Sequence, residues 1–413
     1  MAFSRFARVR ALALVSFAAS CQTTTAPGTS YPPPSLYSIE PQSVLAGSAA
    51  FTLTARGADF TSASRMRWNG ADRPTTFVSD SLLTASITAA NVAVAGSVAV
   101  SVYTGAPGGG TSGELQFTVA PPQALTWTVT AVAVANGTWD ATISSNGIAY
   151  ATHLATDSIS RISLTTNSLL GSFQVGTWPY EVVFNATGAL AYVTNLTDQT
   201  VGVVNTTTNT QIATYPVAAE PIRVRVGPGG SKLYVSQIDG NLVILNASNG
   251  TAASPPVFIG GILNGVALTP DSSRLWVSNT SGMLAEINTS TDAVARSIPM
   301  GGRPQDVTIS PDGSTLYVAN EDGWVGVYNL TNLARIDSIP VPAAFGLALN
   351  PAGSQLWVSC SRVGLVTVFY TASRAYAGTV TASGVPRHIA FASDGTALIA
   401  NEAGVAQIAR QNP

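Results

Sequence analysis

Short runs in which apolar and polar residues alternate recur along most of the chain. Two clear examples are "AAFTLTARG" and "SVAVSVYTG" in the first third. A period of two is typical of strands that bury one face. Stretches rich in Gly, Pro, Asn and Asp, such as "WNGADRP" and "PGGGTSG", separate the runs and indicate turns. The pattern therefore predicts an all-β protein.

Residues 36–119 contain six or seven such runs in about 85 residues, which predicts a small immunoglobulin-like β-sandwich. Phrases such as "FTLTARGADF" and "RMRWNGADRPTTF" resemble the IPT/TIG domain. The resemblance implies a DNA-binding module, a spacer or a binding module on a cell surface. The residues that stand where the IPT/TIG pattern expects them are Gly47, Gly57, Phe60, Trp68, Asn69, Gly70 and Thr76.

A repeat fills the rest of the chain, from residue 124 to residue 413. Its aromatic position recurs with successive spacings of 42, 42, 42, 41, 40 and 41 residues. Each copy holds four strand-like runs, so seven copies predict a seven-bladed β-propeller. "AYVTN" and "LYVAN" resemble the YVTN family of propeller repeats. The repeated position is occupied by Tyr150, Tyr192, Tyr234, Trp276, Tyr317, Trp357 and Leu398.

The last copy has only three strand-like runs, and the segment "ALTWTVTAVAV" at residues 124–134 precedes the first copy. We expect this N-terminal strand to complete the seventh blade by pairing near Val405–Ala409, because closure removes an exposed sheet edge. A polar column follows the aromatic one, and we expect its side chains to bond local turns. Its members are His153, Asn195, Gln237, Asn279, Asn320, Cys360 and Asn401.

The first 21 residues read as an export signal, with Arg5, Arg8 and Arg10 before an apolar stretch. "AASC" resembles the bacterial lipoprotein box, which implies lipid attachment at Cys21. An ordinary cleaved signal that leaves Cys21 nearby by chance is the alternative. Residues 22–35 form a Pro/Thr-rich tether. We therefore expect an exported protein, lipid-anchored to the bacterial cell envelope. Gln22 resembles the outer-membrane sorting pattern of bacteria with two membranes.

Composition excludes several classes of function. The net charge is −2, and no Lys/Arg cluster follows residue 10, which argues against nucleic-acid binding. Export leaves the spacer or surface-binding roles of an IPT/TIG domain. Only two His and two Cys occur, and no "CxxCH", "GxSxG" or "HExxH" motif is present. The sequence thus predicts no cofactor and no metal site, although bound calcium is left open.

One set of residues forms a candidate ligand-binding site. Aligning the start of the innermost strand of each blade gives the column Asp140, Glu181, Arg223, Gly265, Asp306, Gly346 and His388. We expect this polar column at one mouth of the central channel, with Glu181 paired to Arg223, Asp140 paired to His388, and Asp306 without an obvious partner. The aromatic residues Trp139, Tyr180 and Phe345 directly precede it. A wet channel mouth without a ligand is the alternative interpretation.

Three functions fit these features. The favoured one is a non-catalytic, monomeric binding protein that presents a propeller to an extracytoplasmic glycan, peptide or protein partner on an immunoglobulin-like stalk. The second is a hydrolase or lyase, similar to propeller lactonases, that uses His388 and its acidic neighbours. The third is a purely structural envelope protein. No catalytic residue is assigned.

Overall fold

The computed structural model of the protein describes residues 30–48, 50–121 and 124–413. The predicted signal, the candidate lipidation site Cys21 and most of the tether lie outside these residues. No helix within the described ranges has the length and apolar character needed to cross a bilayer. The chain divides into two compact units, and the second includes Val119–Pro413.

The first unit is a β-sandwich of two sheets with strand orders β1-β3-β7-β6 and β2-β10-β8-β4-β5, and β9 pairs with β8. One 3-10 turn spans Ala89–Val92. The strands are β1 (Ser35–Glu40), β2 (Ser43–Leu45), β3 (Phe51–Ala58), β4 (Arg65–Trp68), β5 (Ala71–Asp72), β6 (Thr75–Ser79), β7 (Leu82–Ile87), β8 (Gly96–Thr104), β9 (Gly110–Thr111) and β10 (Leu115–Ala120).

The alternation seen in the sequence sets the core of the sandwich. Leu53 on β3 and Leu83 on β7 are fully buried. The ring of Phe117 on β10 lies 4.9 Å from that of Trp68 on β4. Asn69 and Gly70 have positive φ and join β4 to β5, as the "NG" pair predicts for a two-residue hairpin turn.

The second unit is a seven-bladed β-propeller, with seven four-stranded antiparallel sheets. Each blade is numbered here by its innermost strand, in chain order. A 3-10 turn spans Pro228–Gly230. The strands are, in blade 1, β12 (Thr138–Ile143), β13 (Ile148–His153), β14 (Ser158–Ser163) and β15 (Ser168–Gln174); in blade 2, β16 (Pro179–Phe184), β17 (Leu190–Asn195), β18 (Thr200–Asn205) and β19 (Thr210–Pro216); in blade 3, β20 (Pro221–Val226), β21 (Lys232–Gln237), β22 (Asn241–Asn246) and β23 (Ala252–Phe258); in blade 4, β24 (Leu263–Leu268), β25 (Arg274–Asn279), β26 (Met283–Asn288) and β27 (Ala293–Pro299); in blade 5, β28 (Pro304–Ile309), β29 (Thr315–Asn320), β30 (Trp324–Asn329) and β31 (Arg335–Pro340); in blade 6, β32 (Ala344–Leu349), β33 (Gln355–Cys360), β34 (Leu365–Tyr370) and β35 (Tyr376–Thr381); and in blade 7, β36 (Pro386–Phe391), β37 (Ala397–Asn401), β38 (Val405–Gln411) and β11 (Trp127–Ala133).

The N-terminal strand closes the ring. β11 pairs antiparallel with β38 over seven residues, from Trp127 opposite Gln411 to Ala133 opposite Val405. The innermost strands of blades 7 and 1 contact each other, as do those of every other neighbouring pair. The predicted completion of blade 7 is confirmed.

Each blade buries both faces of its sheet against its neighbours. The cluster around Tyr192, for example, joins Val201 and Val203 of blade 2 to Val224 and Val235 of blade 3. The aromatic repeat residues lie in these layers, and Trp276 and Tyr234 are fully buried. One blade alone would expose two apolar faces, so the repeat stabilises a closed ring.

The polar column after the aromatic residues bonds local turns, as predicted. Asn279 Nδ2 donates to the carbonyl of Gly260 at 2.6 Å, and its Oδ1 accepts from the N–H of Met283. Asn320 repeats this pattern with Gly301 and Arg303. His153, an odd member of the column, bonds the hydroxyls of Thr138 and Ser160 in its own blade.

Candidate functional site in the central channel

A β-bulge at the start of the innermost strand positions the polar column. In every blade the register between the first two strands shifts at this point, as between Pro179 and Glu181 in blade 2 or Pro304 and Asp306 in blade 5. A bulge leaves an N–H outside the ladder and redirects the neighbouring side chains. The bulges turn the side chains of the column toward the channel axis, where five of them form a charged layer.

Hydroxyl groups of the second strand satisfy the bulged N–H groups. Glu181 N–H donates to Thr194 Oγ1 at 2.9 Å, and Arg223 N–H donates to Ser236 Oγ at 3.1 Å. The Thr194 hydroxyl in turn donates to the carbonyl of Ile222 in the next blade. These hydroxyls fix the column and link neighbouring blades. The Thr of "YVTN" was available as a signal for this role, but sequence reasoning missed it.

Glu181 is the acidic centre of the charged layer. Its Oε1 lies 3.3 Å from Arg223 Nη1 and 2.8 Å from Arg225 Nη1. Its Oε2 accepts from the N–H of Val224 at 2.6 Å. Glu181 and Arg223 are both 3% exposed, so this is a buried ion pair with its remaining atoms satisfied. The predicted pairing of Glu181 with Arg223 is confirmed.

Arg223 also reaches across the channel. Its Nε donates to the carbonyl of Asn264 at 2.9 Å, and its Nη2 lies 2.8 Å from His388 Nε2 in blade 7. A guanidinium only donates, so Nε2 of His388 must accept. His388 is therefore neutral and carries its proton on Nδ1, which lies 3.7 Å from Asp306 Oδ2.

The predicted pairing of Asp140 with His388 is wrong. Among the described residues, neutral His388 lies against Asp306 instead. Gly346, between these two blades, contributes no side chain to the layer, and a Cβ there would lie 2.4 Å from the carbonyl oxygen of Arg387, so blade 7 packs closely against it. Asp306, predicted to lack a partner, also accepts from the N–H groups of Val307 and Leu347, each at 2.9 Å. Asp140 accepts from the N–H of Val182 at 3.2 Å.

Burial shifts the acid–base equilibria of the layer. Burial, and then the charge of Glu181, raises the pKa of Asp140 to about 7. Burial also raises the pKa of Asp306. Burial and the charge of Arg223 hold the pKa of His388 well below its usual range, which agrees with the neutral tautomer required by Arg223.

The three predicted aromatic residues come together in a second layer beside the charged one. The ring of Trp139 lies 4.9 Å from that of Tyr180 and 5.8 Å from that of Phe345. The guanidinium of Arg387 lies 4.2 Å from the centre of the Trp139 ring and 4.7 Å from that of Phe345. The guanidinium of Arg223 lies 5.7 Å from the Tyr180 ring. All three aromatic side chains are half-buried.

The charged layer is an internal layer of the channel and does not form the open rim that the sequence predicts. Its residues are between 3% and 6% exposed. They line a cavity of about 530 Å³ that continues along the innermost strands past Thr142, Arg225 and Thr308. Trp139, Tyr180 and Phe345 do not line this cavity, so the charged layer separates it from the aromatic layer.

Sequence reasoning missed three residues. Arg225 lies two positions beyond Arg223, where the other blades have Thr, Val or Ala, and "RVRV" was the available signal. Arg387 stacks on two aromatic rings. Trp178, just before the strand of Tyr180, is 50% exposed and has a φ of 55°. A bulky residue with positive φ is uncommon and costs free energy.

The described residues hold no group of three His, Cys, Asp or Glu side chains arranged for a metal ion. The contacts observed within the charged layer are hydrogen bonds and ion pairs. Arg223 already donates to Glu181, His388 and Asn264, so the layer links blades 2, 3, 4 and 7.

Comparison with solved structures finds similarity to the hydrazine synthase of Kuenenia stuttgartiensis, a protein that contains a propeller. The TM-score is 0.61 at 16% sequence identity, and the match covers 66% of this chain and 95% of that chain. No protein-family model matches the chain. No curated protein sequence matches it. At this identity the structural similarity shows the β-propeller fold alone.

Proposed function

We propose that this protein is a binding protein of the bacterial cell envelope. A lipid on Cys21 anchors it, an IPT/TIG-type sandwich serves as its stalk, and a YVTN-type propeller presents the ligand site. The partner is an extracytoplasmic glycan, peptide or protein. The site is the aromatic layer of Trp139, Tyr180 and Phe345 with Arg387.

The observation that carries this proposal is the contact of Arg223 Nη2 with His388 Nε2 at 2.8 Å. It occupies the lone pair that a general base would need, since neutral imidazole accepts at only one nitrogen. The charged layer therefore acts as a rigid support. The half-buried aromatic faces beside it keep area for stacking against a ligand, which is how aromatic side chains contribute to recognition.

A lactonase-like hydrolase is the second candidate. The geometry that favours it is the approach of His388 Nδ1 to Asp306 Oδ2, at 3.7 Å. Asp140, whose pKa burial raises to about 7, lines the same cavity. Perturbed pKa values of this kind cluster at functional sites. This candidate requires Arg223 to leave His388 when substrate binds. The purely structural role stands as the outcome if neither activity exists.

The proposal is tested by screening the purified protein on a glycan microarray and a displayed peptide library. A lactone-hydrolysis assay with and without divalent metal runs beside these screens. A glycan or peptide hit without hydrolysis is expected. Hydrolysis that disappears in His388→Gln would replace the binding role with the enzymatic one. No binding and no hydrolysis in any of these assays would favour the purely structural role.

A further inference from the structure

A large cleft lies where blade 7 meets blade 1, at the junction that closes the ring. Its volume is about 1130 Å³, whereas the equivalent space between blades 5 and 6 measures about 300 Å³. Both are bounded by the turns between the first two strands of two neighbouring blades and by the loop between the third and fourth strands of the second blade. The polar side chains that matter in this closure cleft are those of Ser145, Thr165, Asn167, Ser393, Asp394 and Arg410.

The repeated aromatic residue of one blade hydrogen-bonds this loop in the next blade. Tyr150 Oη donates to Asn209 Oδ1 at 2.6 Å, and Tyr234 Oη donates to Asp292 Oδ1 at 2.8 Å. In blade 7 the repeated residue is Leu398, which packs with the blade 1 loop but has no hydroxyl to donate. The loop of blade 1 therefore lacks the donor that these other loops receive.

Arg410 replaces one of the missing hydrogen bonds. Its Nη2 donates to the carbonyl of Leu164 in the blade 1 loop. The equivalent carbonyl in blade 4, that of Thr289, accepts from Tyr234 Oη at 3.2 Å. A guanidinium carries five N–H groups, and the side chain of Arg410 makes no second hydrogen bond within the described residues. Arg410 thus lines the cleft with most of its donors unused.

Asn167 keeps an unpaired amide. It occupies the position of Asn209 and Asp292, and its φ of 52° matches their 54°. Its Oδ1 is buried without a partner, and within the described ranges the side chain makes no hydrogen bond. A buried acceptor that lacks a donor costs free energy. Because the half-buried side chain lines the cleft, its amide can rotate toward a ligand without breaking a hydrogen bond.

The rim adds hydroxyl groups and a balanced pair of charges. Ser145, Thr165 and Ser393 are exposed, and their hydroxyls have no partner among the residues that the structure describes. Asp394 and Arg410 are the two charged side chains of the lining, so its net charge is zero. This lining fits an uncharged ligand that both donates and accepts hydrogen bonds, as hydroxyl groups do.

We propose that the closure cleft binds a neutral oligosaccharide. Sugar hydroxyls donate to Asn167 Oδ1 and to Asp394, and they accept from Arg410. The volume slightly exceeds the range of about 300–1,000 Å³ typical of sites for drug-sized ligands, which leaves room for an oligosaccharide. This inference goes beyond the proposed function, because it adds a second site at the opposite ends of the innermost strands from the aromatic layer.

A microarray of neutral, acidic and amino-sugar oligosaccharides of matched length tests the ligand class on the wild-type protein. We expect the protein to bind neutral oligosaccharides in preference to charged ones, because the lining has no net charge. Calorimetry then gives the affinity for the neutral oligosaccharide with the strongest signal. Binding to charged oligosaccharides alone, or to none, would overturn the proposal.

A matched pair of variants, Asn167→Gly and Asn209→Gly, locates the oligosaccharide. Gly adopts positive φ without strain, and blade 3 already has Gly250 at this position. Asn167→Gly should weaken binding about five- to tenfold, the loss expected for one or two hydrogen bonds. Asn209→Gly should bind like the wild type, because Asn209 lies in blade 2 outside the cleft. Unchanged affinity in Asn167→Gly, or an equal loss in both, would contradict the site.

The same pair tests the unpaired amide without any ligand. Asn209→Gly should lower the melting temperature more than Asn167→Gly does, because only Asn209 loses a bond to a tyrosine hydroxyl. An equal or larger loss in Asn167→Gly would show that Asn167 has a partner of its own and would remove the basis of the proposal.

Trp139→Ala separates the closure cleft from the aromatic layer. An oligosaccharide in the cleft should keep its affinity for Trp139→Ala and lose affinity for Asn167→Gly, because Trp139 does not line the cleft. The reverse pattern would support the proposed function and overturn the closure cleft. Binding that depends on Asn167, with no ligand that depends on Trp139, would leave the cleft standing while the proposed function fails.

Discussion

Arg223 Nη2 donates to His388 Nε2 over 2.8 Å and so joins blade 3 to blade 7 across the central channel. These blades are not neighbours in the ring, because blades 1 and 2 lie between them on the shorter side. The contact joins Glu181, Arg223, His388 and Asp306 in one network and fixes the protonation state of His388. Both the stability of the ring and the candidate functions depend on it.

Replacing Arg223 should destabilise the propeller strongly. Arg223→Met leaves Asn264 O and His388 without their donor and weakens the neutralisation of Glu181, so we expect a loss of about 3–5 kcal/mol in the free energy of unfolding. Urea denaturation measures it. The control is Arg362→Met, whose side chain is 66% exposed beside Glu321 and should cost less than about 1 kcal/mol.

The double variant Arg223→Met/Glu181→Gln should lose less stability than the sum of its two single variants. Each single change leaves a buried charge with fewer partners, and the second change removes that charge. The same denaturation experiment gives the coupling free energy. Additive losses would show that Glu181 depends on Arg225 alone.

Stability should depend on pH through Asp140. Its pKa rises from 3.8 in the unfolded chain to about 7 in the folded state, so the folded state retains a proton that the unfolded state loses. As the pH rises from 4 to 7, this group should lower the free energy of unfolding by up to about 1.4 kcal/mol per pH unit. His388 has the opposite effect. Because its pKa is lowered in the folded state, the unfolded chain binds the proton first, and acidification lowers the free energy of unfolding.

Asp140→Asn isolates the contribution of the carboxyl group. The variant should match the wild type in melting temperature at pH 4 and exceed it at pH 8, with Glu114→Gln as the control for charge. The groups that face Asp140 in the layer are Glu181, Arg223, Arg225, Asp306 and His388, and all of them remain in the variant. A constant difference across the pH range would mean that Asp140 is ionised throughout.

Closure of the ring can be tested within one strand. Val132 on β11 is 5% exposed and packs with Ala406 and Ile408, whereas Ala131 beside it is exposed. Val132→Asp should lower the melting temperature strongly or cause aggregation, because it buries an unpaired charge. Ala131→Asp should melt like the wild type. Similar behaviour of the two variants would contradict the role of β11 in closure.

Lipid anchoring at Cys21 is tested by cell fractionation. Cys21→Ser should move the protein from the membrane fraction to the soluble fraction and abolish incorporation of a labelled fatty acid. Cys360→Ser is the matched control, because Cys360 is buried in blade 6. A wild-type protein that is already soluble and cleaved elsewhere would refute the anchor.

Sequence predicted the blade count and one contact between neighbouring repeats, but adjacency of blades 7 and 1 did not bring Asp140 and His388 together as expected. The spacing from Tyr150 to Leu398 predicted seven blades, and adjacency of blades 2 and 3 predicted Glu181 beside Arg223. The contact of Arg223 with His388 could not be predicted, because it depends on the length and direction of the Arg223 side chain, which spacing along the sequence does not show. Burial of the charged layer likewise depends on how far the bulges turn each residue inward.

The most direct test of the binding role is the affinity of the glycan or peptide found in the screen for three proteins, measured by biolayer interferometry. Trp139→Ala should weaken binding at least about tenfold, because loss of an aromatic contact costs 1.4 kcal/mol or more at a well-packed site. Trp324→Ala removes a Trp that also lies beneath an Arg guanidinium, at 4.4 Å, but outside the channel, and it should bind like the wild type. Equal affinity in all three proteins, or an equal loss in both variants, would contradict the aromatic layer as the ligand site.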